Sequence, residues 1–202
     1  MSDTRKRKAK KLLIKIIAGS VVIVSIFAFK SKPTLKFALL KYNGGGDWYN
    51  DVNSLKNLAI FCNKNLGTSF ETEYATVEAG SPEIFNHPFV YMTGHGNVVF
   101  NTQESENLRA YLLGGGFLFI NELPYSHPIF HQKYEFPNGI PKIHEHDGKP
   151  PKGYGLVYKN RLVAFYNYES DLGDGWDDVH NDPEEIRTKA LEMGANIVRY
   201  VF

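Results

Sequence analysis

The sequence predicts one α/β domain with a mostly parallel sheet, preceded by a single transmembrane helix. Three observations support this fold class. Residues 12–29 form an apolar stretch, strand-like and helix-like segments alternate from residue 35 onward, and about 165 of the 202 residues remain for one core once the N-terminal segment is set aside. A chain of that length fits one ordinary domain better than two small ones.

The N-terminal segment is predicted to cross a membrane. Residues 12–29 consist of Leu, Ile, Val, Ala and Phe, interrupted only by one lysine, one glycine and two serines. This stretch is long enough to span a bilayer, and the ammonium group of Lys15 can reach the interface. A cleaved signal peptide is the alternative, but residues 27–31 provide a poor small-x-small cleavage site.

The charges on either side of the apolar stretch predict its orientation. Six basic residues precede the stretch and three closely follow it, so the positive-inside bias places the N-terminus in the cytoplasm. We therefore divide the chain into a basic cytoplasmic tail (1–11), an anchor (12–29), a linker (30–34) and an extracytoplasmic domain (35–202).

The charge and cysteine content of the domain exclude several classes of partner and site. Residues 37–202 hold 13 basic and 21 acidic residues, a net charge of about −8, whereas nucleic-acid binding needs a basic face. No nucleic-acid partner is therefore expected. The single cysteine, Cys62, excludes an intrachain disulfide and a zinc site built from several thiolates.

The first half of the domain reads as alternating strands and helices. Residues 35–42 are predicted to form a strand and residues 54–66 a helix, with Cys62 on its apolar face. Further strands are predicted at 71–77, 89–93 and 117–120, and a helix at 103–113, capped by Thr102 and ended by Gly114. This alternation predicts a parallel sheet that is covered on both faces.

The second half of the domain is less regular. Residues 124–155 hold six of the ten prolines and read as a long structured loop. Residues 155–158 and 162–168 are predicted to form a hairpin. Asp182 and Pro183 are predicted to open a helix that reaches about Met193, and residues 195–201 either extend that helix or form a final strand.

Four sequence strings taken together resemble one known family. They are YNGGGDWY at 42–49, YMTGHGN at 91–97, PKIHEHDGKPP at 141–151 and YESDLGDGW at 168–176. The chain resembles domain of unknown function 4159 from about residue 35 to the C-terminus. The resemblance implies a flavodoxin-like three-layer sandwich, similar to the class I glutamine amidotransferase domains, and no established activity. It also implies a bacterial source and frequent membrane attachment, in agreement with the anchor.

The chain departs from the family pattern at one place. A helical stretch of about twenty residues is expected after the strand at 117–120, but here that strand passes almost directly into residues 121–124. A parallel crossover needs at least about ten residues. Either the segment after Ile120 is naturally shortened or part of it is missing, and a wall of the site, and activity with it, is expected to be absent.

His95 is the first candidate catalytic residue. Hydrolases and amidotransferases of this architecture place a nucleophile between glycines on a sharp turn after a strand. Here Gly94 and Gly96 flank a histidine, so an acyl-enzyme mechanism is not supported. His95 either contacts a ligand at the strand end, where open α/β sheets bind ligands, or serves the turn. Asp171 is the second candidate catalytic residue.

Two acidic and histidine-rich segments could hold a divalent metal. His144 and His146 would point to the same side of an extended segment, and a carboxylate such as Asp147, Glu169 or Asp171 could complete the ligand set. The alternative is a hydrogen-bond network that pins the proline-rich loop. Residues 169–178 superficially resemble a calcium loop but lack the alternation of an EF-hand, so a solvated acidic turn is the alternative there.

The glycine-rich loops contain the predicted ligand contacts. Backbone amides after the first strand could cradle an anion, and tryptophans could line a pocket for a sugar or a peptide. The predicted set is Gly44, Gly45, Gly46, Asp47, Trp48, Thr93, Gly94, Gly96, Asn97 and Trp176.

The sequence leaves two main functional hypotheses, beside a third class, purely structural membrane scaffolding. The first is a ligand-binding or accessory domain that lacks the amidotransferase nucleophile and takes an unknown small-molecule or protein ligand. The second is a metal-dependent hydrolase that uses His144 and His146 with acidic partners, and His95 as acid or base. A divalent metal is the cofactor that the second hypothesis requires.

Overall fold

The computed structural model describes residues 35–94, 97–117, 123–144 and 148–202. Leu35–Phe202 form one compact unit. Within the described ranges, no helix is both long enough and apolar enough to cross a membrane. Several predicted features lie outside the described residues: the anchor at 12–29, His95, Gly96, most of the strand at 117–120, His146 and Asp147.

A three-stranded parallel sheet forms the centre of the domain. Strand β1 (Ala38–Lys41) pairs with β2 (Ala75–Glu78) on one side and with β3 (Val90–Tyr91) on the other. The strand order is β2-β1-β3. The structure thus confirms a mixed α/β fold with a parallel sheet, although β2 begins four residues later than the prediction of 71–77.

Both faces of this sheet are buried, as predicted. Alternate residues of a strand point to opposite faces, so Phe37 and Leu39 enter one apolar cluster and Ala38 and Leu40 enter another. The first cluster also contains residues of helix α1 (Ser54–Leu66) and of the C-terminal helix, Glu184–Val201. Helix α2 (Thr102–Leu113) contributes to the second through Leu108 and Tyr111.

Two predicted helix caps are wrong. The cap of α2 is Asn101, because its side chain accepts from the Glu104 amide while the Glu104 carboxylate accepts from the Asn101 amide, which completes a capping box. The last helix begins at Glu184 without a side-chain cap, because Asp182 instead pairs with His144.

The second half contains a hairpin and a short buried helix. Strands β4 (Lys152–Tyr158) and β5 (Arg161–Tyr168) are antiparallel, and the two residues of their turn, Lys159 and Asn160, have φ values of 48° and 61°. Helix α3 (Leu172–Trp176) follows, and α4 (Glu184–Val201) ends the chain. The hairpin is confirmed, and residues 195–201 extend the last helix rather than form a strand.

Candidate functional site

The loops after β1 and β3 pack against each other at the carboxyl ends of the strands. The Val99 amide donates to the Asn43 carbonyl at 2.8 Å, and Gly45 pairs with Asn97. Gly94 has a φ of +121°, and a Cβ atom there would lie 2.5 Å from the Tyr42 hydroxyl. Glycine is therefore required at position 94 both by the backbone conformation and by this close approach.

A cleft of about 410 Å³ opens beside these loops. Its walls come from the end of β1, the end of β3 and the segment that leads from β5 into α3. Four tyrosines and two acidic residues are among the residues that line it. The full set is Tyr42, Tyr91, Met92, Thr93, Gly94, Val98, Tyr166, Asn167, Tyr168, Glu169, Ser170 and Asp171. The position agrees with the rule that open α/β sheets bind ligands at the carboxyl ends of their strands.

A buried carboxylate lies behind the β3 wall of the cleft. Asp51, in the loop between β1 and α1, is only 4% exposed. The Thr93 hydroxyl donates to its Oδ2 at 2.6 Å, and the Tyr91 hydroxyl donates to the same oxygen at 3.2 Å. These two hydroxyl groups hold the Asp51 carboxylate in a fixed position and offset part of the cost of its burial.

Asp51 belongs to a carboxylate–histidine cluster, which consists of Asp51, Asp174 and His180. One ligand atom from each residue lies within 4.8 Å of the other two. Nε2 of His180 lies 3.3 Å from Oδ1 of Asp174, yet among the described residues no hydrogen bond reaches this buried oxygen. Two carboxylates and an imidazole are a donor set for Zn²⁺ or Mn²⁺, so this cluster could hold a divalent cation.

The electrostatics of the cluster favour a bound proton or cation. Burial, together with the negative charges of Asp171 and Asp51, raises the pKa of Asp174 from its ordinary 3.8 to about 6, and His180 opposes this shift. Burial and the charges of Asp51 and Asp171 also raise the pKa of Tyr91 well above its ordinary value. Tyr91 is therefore a neutral hydrogen-bond donor at physiological pH.

His144 lies next to the cluster but binds a different carboxylate. Its Nε2 is 2.9 Å from Oδ2 of Asp182, and its ring centroid lies 6.4 Å from that of His180. The hydrogen bond to Asp182 is the main cause of the raised pKa of His144. An imidazole held in this way supports the loop around the cluster rather than completing the ligand set.

Glu169 lines the cleft and has partners of its own. Its carboxylate accepts from the Lys149 amide at 3.3 Å, and the Lys142 ammonium lies 3.9 Å away. The residue is 8% exposed and has a φ of 53°. The structure therefore gives His144 and Glu169 different partners and does not bring these two members of the predicted metal set together.

The family model for "Domain of unknown function (DUF4159)" matches residues 36–122 and 120–202. The chain belongs to the DUF4159 family. No match was found among curated proteins. The two matched segments of this DUF4159 chain meet at residues 120–122, the place where the sequence predicts a shortened segment.

Some of the remaining predicted residues of the DUF4159 domain line the cleft, and others do not. Thr93, Gly94 and Asp171 line it. The loop at 44–48 and Asn97 instead belong to the contact between the loops after β1 and β3, where Gly45 pairs with Asn97. Trp176 is 3% exposed and donates from its indole nitrogen to the Ala190 carbonyl at 2.8 Å. It belongs to the apolar core and does not line this cleft, so its role as a ligand contact stays a prediction.

The sequence pattern offers only a weak signal for the site residues that it does not predict. Tyr91 lies two positions before Thr93, which the sequence does predict, and this spacing places both side chains on one side of an extended segment. Asp51 lies three positions before α1, in the loop that follows the first strand. Nothing in the sequence links these residues to Asp174 and His180, which come more than a hundred positions after Asp51.

Proposed function

We propose that this DUF4159 protein is a membrane-anchored, extracytoplasmic domain that binds a small ligand in the cleft described above. The observation that carries this proposal is the cleft itself, which lies at the carboxyl ends of β1 and β3 and has a volume of about 410 Å³. Pockets of this size bury most of a small molecule. The proposal includes the flavodoxin-like, amidotransferase-like architecture that the family resemblance implies.

The side chains of the cleft support binding rather than acyl-transfer chemistry. Ser170 is the one serine or cysteine among the described lining residues, and its hydroxyl donates to the Pro141 carbonyl at 2.6 Å. Cys62 is buried inside α1, and burial raises the pKa of its thiol to about 12. A nucleophile of this kind needs a base that takes its proton, whereas the Ser170 proton is held by a carbonyl and the Cys62 thiol is held neutral.

The membrane part of the proposal is supported by the sequence of residues 1–34. The apolar stretch at 12–29 follows six basic residues, and the domain beyond residue 36 is acidic. This distribution is typical of a single-pass protein with its N-terminus in the cytoplasm.

Filling the cleft tests the ligand-binding function. Val98 lines the cleft and is 41% exposed, so Val98→Trp is expected to occupy the space. Val157 is 51% exposed on β4 and does not line the cleft, so Val157→Trp is the matched control. A small-fragment library is screened against the full-length protein in detergent by ligand-observed NMR. Hits that survive in Val157→Trp and vanish in Val98→Trp support the function, whereas equal hits in both variants contradict it.

A metal-dependent hydrolase is the second candidate function. The observation that favours it is the carboxylate–histidine cluster, whose three ligand atoms lie within 4.8 Å of one another. Asp51, Asp174 and His180 take the place of the His144, His146, Asp147 and Glu169 set, and a divalent cation bound there would activate water.

Metal titration separates the two functions. The full-length protein is titrated with Mn²⁺ or Zn²⁺ by calorimetry, alone and as Asp51→Asn, His180→Ala and His144→Ala. The hydrolase candidate expects stoichiometric binding that falls at least tenfold in the first two variants and changes little in the third. Absence of stoichiometric binding in the unmodified protein rejects the hydrolase and leaves the ligand-binding function intact.

A further inference from the structure

We propose that the ligand of the cleft carries a positively charged amine, an inference that rests on the proposed ligand-binding function. The chemical class is an ammonium-bearing small molecule or side chain, rather than an anion or a neutral polyol. Charge, aromatic surface and hydrogen-bonding capacity of the described lining residues each favour this class.

The charge of the cleft is negative. Glu169 and Asp171 line it, and its described lining residues include no lysine, arginine or histidine. Asp51 adds a buried negative charge directly behind Thr93. Lys142 approaches Glu169 at 3.9 Å without lining the cleft. A ligand cation would therefore meet carboxylates, whereas a ligand anion would be repelled by them.

Four tyrosine rings, those of Tyr42, Tyr91, Tyr166 and Tyr168, provide the aromatic surface of the cleft. The faces of aromatic rings attract ammonium groups. One of these rings already has a cation of the protein near its face, because Nζ of Lys149 lies 6.0 Å from the centroid of the Tyr168 ring. Tyr166 is 51% exposed, so part of its side chain is accessible to a ligand.

Several polar groups of the cleft already donate their hydrogen bonds inside the protein. The Tyr42 hydroxyl donates to the Thr93 carbonyl at 3.0 Å, and the Thr93 hydroxyl donates to Asp51. The Asn167 amide donates to the Ser170 carbonyl, and the Ser170 hydroxyl donates to the Pro141 carbonyl. The cleft consequently offers acceptors more than donors, and an ammonium group, which only donates, matches it.

An isosteric set of five-carbon compounds tests the charge of the ligand. The probes are 1,5-diaminopentane, 1,5-pentanediol and glutarate, which present two ammonium groups, two hydroxyls and two carboxylates on the same chain. Binding to the full-length protein in detergent is measured by NMR titration, with EDTA present so that divalent cations do not compete. The diamine is expected to bind at least tenfold more tightly than the diol, and glutarate more weakly than either.

Amide substitutions test whether the cleft carboxylates provide this preference. Glu169→Gln combined with Asp171→Asn removes two charges while keeping the oxygen that accepts from the Lys149 amide and the one that accepts from the Asp174 amide. This variant is expected to lose at least fivefold in diamine affinity and to leave diol binding unchanged. Glu106→Gln, an exposed position on α2, is the control and should change neither.

The possible results distinguish this inference from the function on which it rests. If the diol or glutarate binds as tightly as the diamine and Val98→Trp removes that binding, the amine inference is wrong and the ligand-binding function stands. The amine inference is also wrong if the double variant keeps full diamine affinity. If none of the three probes binds, the amine inference fails; and if the fragment screen also yields no hit that depends on the cleft, the ligand-binding function fails with it.

Discussion

The charge of Asp174 depends on the fold. Its carboxyl group lies beside those of Asp51 and Asp171 and is largely shielded from water, so ionisation there places negative charges close together. The imidazole of His180 relieves only part of this repulsion. The protonation state of Asp174 therefore links the stability of the domain to pH.

Asp174→Asn is expected to stabilise the protein at neutral and alkaline pH. The folded-state pKa of about 6 lies above the ordinary 3.8, so the native state holds the proton more tightly than the unfolded state. This contribution to stability is fully present below about pH 4 and is lost as the pH rises through about 6. Asparagine cannot ionise, so at pH 8 the variant should gain about 1 to 2 kcal/mol, after discounting for partial solvent screening.

Urea unfolding between pH 4 and pH 8, followed by tryptophan fluorescence, measures this gain. Asp178→Asn is a control of opposite sign, because the hydrogen bond from Asn53 lowers the pKa of Asp178. That carboxylate stabilises the fold above its ordinary pKa, so its variant should lose stability at neutral pH. If the stability of the unmodified protein and of Asp174→Asn changed with pH in parallel, the raised pKa of Asp174 would be contradicted.

Asn196 is a second residue with a large expected effect. It is fully buried on α4, accepts from the amides of Lys133 and Tyr134 at 3.0 Å, and donates to the Tyr134 carbonyl at 2.7 Å. Asn196→Ala leaves these backbone groups without their partner and should cost about 2 to 4 kcal/mol of unfolding free energy. Asn65→Ala, which loses one local bond to Phe61, should cost less than about 1 kcal/mol in the same urea titration. Equal losses would show that Asn196 does not pin the proline-rich loop.

At the scale of elements, Arg161 joins the hairpin to the end of α2. Its guanidinium donates to the carbonyls of Leu112, Gly115 and Gly116, which follow or end the helix. A cation at this end of a helix also interacts favourably with the helix dipole. The contact therefore stabilises both elements.

Arg161→Met should destabilise the domain by about 2 kcal/mol, because it removes hydrogen bonds from a charged donor to three backbone carbonyls, two of them in part-buried contacts. Arg161→Lys should restore only part of this loss, since one ammonium group cannot reach all three carbonyls at once. Lys159→Met, on the exposed turn, is the control and should change stability by less than about 0.5 kcal/mol. Hydrogen exchange at the last turn of α2 locates the effect, and unchanged protection there in Arg161→Met would contradict it.

Elements are predictable from the sequence where their pattern is local. Helix α1 repeats apolar residues on one face, and the hairpin has strand-like residues on both sides of a two-residue turn. Helix α3 is not predicted, because Gly173 and Gly175 are typical of a loop. Gly173 is required there for a different reason: a Cβ atom would lie 2.8 Å from Oδ2 of Asp51 and would overlap the Tyr91 hydroxyl.

The carboxylate–histidine cluster cannot be predicted from a local sequence pattern, because Asp51 lies far from Asp174 and His180 along the chain. Its members are brought together by the packing of α3 and the following loop against the β1–α1 loop, which involves residues more than 120 positions apart, such as Asn53 and Asp177. The string His144 to Asp147 suggests a metal site because its members are adjacent in sequence, yet His144 binds Asp182. Adjacency along the chain is a poor guide to a site whose ligands come from separate loops.

At the scale of the whole molecule, charge divides the chain into two parts. The first 36 residues hold ten basic residues and one acidic residue, whereas the rest has a net charge of about −8. The net negative charge of the domain agrees with the proposed cationic ligand, because the long-range field and the carboxylates of the cleft act in the same direction.

Cysteine labelling in intact cells tests the proposed membrane orientation. Cys62 is buried with a pKa raised to about 12, so the unmodified protein should react little with a membrane-impermeant maleimide. Glu106→Cys places a thiol on the exposed surface of α2, and Ser2→Cys places one in the basic tail. Glu106→Cys should be labelled in intact cells, and Ser2→Cys only after permeabilisation, because the positive-inside bias keeps the tail in the cytoplasm. Labelling of Ser2→Cys but not of Glu106→Cys in intact cells would reverse the orientation, and labelling of both only after permeabilisation would place the domain in the cytoplasm.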